Sequence, residues 1–120
     1  MSPPCACSPR GYCPLLPRLS VHQLVDLHNE LTAQISYSIS RLQDNDEFLD
    51  EARYAHNFLE RCLMIVRNDE QQVQILCGMH NRVSEIRYLE GLINSLEQEL
   101  SSLVRYKKRV EIHLQFAQAH

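Results

Sequence analysis

Tryptophan is absent from the 120-residue chain, and proline stops at Pro17. Glycine occurs only at Gly11, Gly78 and Gly91. A stretch of about a hundred residues without proline and with two glycines cannot supply the tight turns that a many-stranded β-protein needs. Long apolar runs are missing as well. Cys62-Leu63-Met64-Ile65-Val66 falls far short of the roughly 20 residues that span a bilayer. Pro14-Leu15-Leu16-Pro17 is too short, and too interrupted, for the apolar core of a secretory signal. A strong basic excess is also lacking. The net charge is −3, which disfavours a general nucleic-acid binder.

What remains is a chain with 44% apolar and 22% charged residues, ordinary values for a folded protein. The expected fold class is all-α: an elongated antiparallel helical hairpin or three-helix bundle with coiled-coil character. Residues 1–19 read as a flexible tail rich in proline and cysteine, and residues 20–118 as the helical domain. Helix 1 is expected over about 20–43, helix 2 over about 47–77 and helix 3 over about 82–118.

Ser20-Val21-His22-Gln23 fits a capping box, in which the serine hydroxyl accepts from the backbone and the glutamine reaches back. Leu24, Leu27, Leu31, Ile35, Ile39 and Leu42 follow on one helical face. Asp44-Asn45-Asp46 favours a break, because all three side chains suit turns and N-caps. In helix 2, Phe48, Ala52, Ala55, Leu59, Cys62 and Val66 form the main stripe. Tyr54, Phe58 and Ile65 form a second face, so this helix wants neighbours on more than one side.

Helix 3 is the most regular feature. Ile86, Leu89, Ile93, Leu96, Leu100, Leu103, Lys107, Val110, Leu114 and Ala117 fall in alternating steps of three and four, the signature of a coiled-coil seam with Lys107 as its polar intruder. Two turns could precede it, at Asn68-Asp69 or at Gly78 to Asn81. A turn at Gly78 to Asn81 brings the acidic run from Asp44 to Glu51 beside Arg105, Lys107, Lys108 and Arg109, with Lys107 facing Ala52. Gly78 also suits a helix end and Asn81 a helix start. That turn is the expectation, and an unbroken helix from Asp69 to Ala117 is the competing reading.

Candidate chemistry is thin. Cys5, Cys7 and Cys13 with His22 are metal-ligand types without the paired spacing of a zinc module. Cys77 and His80 have no second pair beside them. No phosphate-binding glycine loop, nucleophile elbow or paired catalytic carboxylates can be found. Catalytic, cofactor-binding and metal-binding residues are therefore all expected to be none.

The function expected is a non-catalytic interaction or scaffold subunit that joins helical partners, or copies of itself, through coiled-coil packing. Partner-binding residues are expected at Val73, Leu76, Met79, Val83, Ile86, Leu89, Leu92, Ile93, Leu96, Leu100 and Leu103. One alternative is a peripheral membrane adaptor acylated at Cys5, Cys7 or Cys13. Another is a nucleic-acid or anionic-lipid binder that uses Arg105 to Arg109. Five cysteines, two of them at apolar helical positions, point to a reducing cytoplasmic or nuclear setting.

Overall fold

A computed structural model describes residues 18–119. Among them are two α-helices and no strand: α1, Val21–Ile65, and α2, Asp69–Ala119. The all-α class is as expected, but there are two helices where three were anticipated.

The start of α1 is the capping box read from the sequence. The Gln23 amide donates to Ser20 Oγ at 3.2 Å, and the Ser20 amide donates to Gln23 Oε1 at 3.0 Å. Two orphan donors of the first turn are thereby satisfied.

The break expected at Asp44 to Asp46 does not occur. Helix 1 and the first part of helix 2 are one helix that continues to Ile65. Asn45 turns its amide back along the helix, Nδ2 donating to the Arg41 carbonyl at 2.7 Å, instead of competing for the backbone of a turn. The inward row of α1 explains why the continuity is hard to read. It passes through Ser38, 5% exposed, and Asn45, and leaves Ile39 41% exposed. Around those positions, Leu31, Ile35, Ser38, Leu42, Asn45, Leu49 and Ala52 keep one unbroken alternation of four and three. A helical row that is polar at its middle looks like two apolar rows with a gap.

The turn expected at Gly78 to Asn81 is displaced to Val66, Arg67 and Asn68, so residues 69–77 belong to α2 and the competing reading of an unbroken second helix is the one observed. Asn68 is the N-cap: its Oδ1 accepts from the Glu70 amide at 2.8 Å and the Gln71 amide at 3.3 Å. Asp69 and Glu70 then place negative charge in the first turn, where the helix dipole favours it. Gln72 Nε2 reaches back to the Val66 carbonyl at 3.0 Å and holds the turn closed. Gly78 lies inside α2, where a Cβ would stand 3.3 Å from Leu59 Cδ1. It is a thin spot under a leucine rather than a helix stop.

The described residues divide into two compact units. The first comprises residues 18–40 and 96–119. Leu24, Leu31 and Val110 form its buried cluster, with Leu27, Leu103, Tyr106 and Leu114 packed around them. His28 Nε2 lies 3.2 Å from Glu111 Oε1, linking the two helical segments of this unit.

The second unit, Arg41–Ser95, is a helical hairpin closed by the turn. Leu49, Ala52, Leu89 and Ile93 are its buried cluster, flanked by Leu42 and Ile86. Arg53 pairs with Glu90 at 3.7 Å, and Leu59 lies over Gly78, so the two segments run antiparallel.

Magnitudes explain why this register prevails over the one that charge suggested. Fully burying a leucine or isoleucine contributes about 1.5–3 kcal/mol, whereas an exposed ion pair contributes under about 1 kcal/mol. Three large apolar side chains around Ala52 outweigh the charge match. Ala52 therefore faces Leu89 and Ile93, and Lys107 belongs to the first unit.

Candidate functional site

The eleven residues expected to meet a partner separate by exposure. Leu89 and Ile93 are core residues of the second unit, and Ile86 packs against that core. Leu96 is buried. Leu103 packs on the core of the first unit. Met79, Val83, Leu92 and Leu100 are half-buried. Only Val73 and Leu76 are exposed. The seam of α2 is thus largely occupied by α1, and most of the exposed apolar surface of the second unit lies off it.

That surface is most developed on the outward face of α1 in the second unit. Asp44, Glu47, Glu51, Tyr54, Phe58, Arg61 and Ile65 are all exposed and recur in steps of three and four. That is a second helical row on the side of α1 away from Leu49 and Ala52. Phe58 is 53% exposed, Ile65 77% and neighbouring Met64 87%, although such side chains favour burial. Among the described residues, the apolar belt that the sequence shows from Phe58 to Val66 receives a neighbour on one side only, α2. Val73 and Leu76, on the turn-proximal part of α2 in the same unit, are exposed as well.

The first unit has a different outward face on α2. Arg105, Lys108, Ile112 and Phe116 are exposed, and Ile112 and Phe116 are half or more accessible. The spacing of the inward seam could have revealed this row, since Ile112 and Phe116 fall opposite Val110 and Leu114 on a helical wheel.

The charged groups are arranged mostly along single helices. Arg82 pairs with Glu85 at 2.8 Å, and the imidazoles of His22 and His56 lie 3.5 Å from Asp26 and 3.0 Å from Glu60. Among the described residues, no ion pair joins Asp44, Glu47, Asp50 or Glu51 to a basic side chain. The expected intramolecular match of this acidic run with Arg105 to Arg109 is therefore not made: the acids lie in the second unit and the bases in the first.

Cys77 is exposed and Cys62 half-buried, both as free thiols. No group of three or more potential metal ligands occurs among the described residues. Cys5, Cys7 and Cys13 lie outside those residues. No helix among them is long and apolar enough to cross a membrane.

No family model, curated protein or solved structure matches the chain.

Proposed function

We propose that the chain is a non-catalytic interaction subunit that joins a larger assembly by packing its helices, in coiled-coil fashion, against helices of a partner. One observation carries this reading. Tyr54, Phe58, Met64, Ile65, Val73 and Leu76 all lie exposed at the turn-proximal part of the second unit. Exposed apolar side chains gathered in that number are costly to leave in water and mark a contact site. Each such side chain contributes about 1.5–3 kcal/mol when buried completely. The heptad-like row Glu47, Glu51, Tyr54, Phe58, Ile65 has the spacing that a neighbouring helix requires. Among the described residues Ser38 is the buried polar side chain. A reacting group left in solvent is neither desolvated nor held by a surrounding shell, which supports a non-catalytic role.

The test is the native size of the chain in extracts of cells that express it, compared with a Phe58→Asp, Val73→Asp double variant. The wild type should migrate well above monomer size, and the variant should fall to monomer while keeping its helical circular-dichroism signal. A wild-type chain that is monomeric both in extract and when purified would remove the proposal.

A further inference from the structure

Glu47, Asp50, Tyr54 and Phe58 on α1, where Asp50 flanks the outward row, and Arg105, Lys108, Ile112 and Phe116 on the outward face of α2 have complementary chemistry at the same steps of three, four and four, and all stand exposed. We infer that the partner of the outward face of α1 is a second copy of this chain, which docks the outward face of its own α2 in parallel alignment. This rests on the reading of the chain as an interaction subunit and names the occupant.

The match is specific to one register. Setting Glu47 of one copy beside Arg105 of the other places Asp50 beside Lys108, Tyr54 beside Ile112 and Phe58 beside Phe116, because each pair differs by 58 positions. Four successive pairs then join acid to base twice and apolar to apolar twice. All eight side chains are exposed. An antiparallel alignment that keeps Glu47 beside Lys108 also keeps Asp50 beside Arg105, but it fails at both ends. There Asp44 meets Glu111, a like-charge contact, while Tyr54 meets Ser101 and Phe58 meets Glu97, so the rings find no apolar counterpart. The acids have no intramolecular partner among the described residues, so docking breaks no existing ion pair of theirs.

Charge complementarity fixes partner and register, and the buried rings supply the attraction. The contact is about three helical turns long, so it falls at the small end of specific interfaces, where association is weak and sensitive to ionic strength.

Sedimentation velocity on the purified full chain tests it, across a concentration series at low and high salt. Expected is concentration-dependent self-association that weakens about tenfold or more between about 50 and 500 mM salt. It begins with a dimer and can extend, since an α1 face docked on an α2 face leaves one of each free. Glu47→Lys with Asp50→Lys, and separately Arg105→Glu with Lys108→Glu, should each be monomeric with unchanged helicity. An equimolar mixture of the two variants should recover the dimer, because every reversed charge then meets its opposite. The neutral Glu47→Gln, Asp50→Asn variant should weaken the dimer severalfold without repulsion. The inference is overturned by a purified wild type that is monomeric throughout, by a dimer indifferent to both reversals, or by a mixture that fails to reassociate. A monomeric purified chain that still migrates in a large complex in extract would overturn the self-docking alone and leave the interaction-subunit reading intact.

Discussion

Gly91 and Gly78 occupy the interior of the same helix, yet their surroundings give them opposite meanings. A Cβ at Gly91 would meet no atom within 4 Å, whereas one at Gly78 would press on Leu59 at 3.3 Å. Gly91→Ala should therefore stabilise the fold by about 1 kcal/mol, the helix-propensity difference alone. Gly78→Ala should gain less than that, or lose, because Leu59 must shift to admit the methyl. Urea unfolding of both variants reads the difference directly, and an equal gain at both sites would contradict the close approach of Leu59. The propensity cost of Gly91 was legible in the sequence. The role of Gly78 was not, since a glycine that ends a helix and a glycine that lets a leucine lie close are the same letter until the facing residue is known.

At the scale of the element, the capping box at Ser20 and the regular seam of α2 were both readable, because each rests on spacing within one helix. The continuity of α1 was hidden by Ser38 and Asn45, which fill inward positions where apolar residues are expected. Two proline substitutions test that continuity and the displaced turn. Asn45→Pro and Asn81→Pro should each cost about 3 kcal/mol or more, as proline does inside a helix, whereas proline would be tolerated far better in the loops that the sequence suggested there. Loss of stability in urea unfolding is the measure. Asn68→Ala should cost about 1 kcal/mol by removing the cap of α2. The cap at Asn68 could be read as one of two candidate starts. The choice between them depended on comparing apolar burial with surface charge, and burial of Leu49, Leu89 and Ile93 is the larger quantity.

For the molecule as a whole, the two apolar clusters share no residue: Leu24, Leu31 and Val110 in one unit, Leu49, Ala52, Leu89 and Ile93 in the other. Of the candidate surface, Val73 and Leu76 were named from the sequence, while Tyr54, Phe58 and Ile65 were legible only as a second apolar face of helix 2, because their exposure depended on which seam α1 consumed. Separate clusters also make a prediction about cooperativity. Leu24→Ala and Leu49→Ala each delete a buried side chain and should cost about 2–5 kcal/mol. If each cluster stabilises its own segments, Leu24→Ala should speed hydrogen exchange chiefly in residues 21–40 and 96–119. Leu49→Ala should act chiefly on residues 41–65 and 69–95. The opening free energy of a segment reports the contacts that must break to expose it, so distinct cores give distinct exchange signatures even along one continuous helix. Exchange that rises uniformly along the chain in both variants would mean instead that α1 transmits the loss from one cluster to the other, and that the two units open as one.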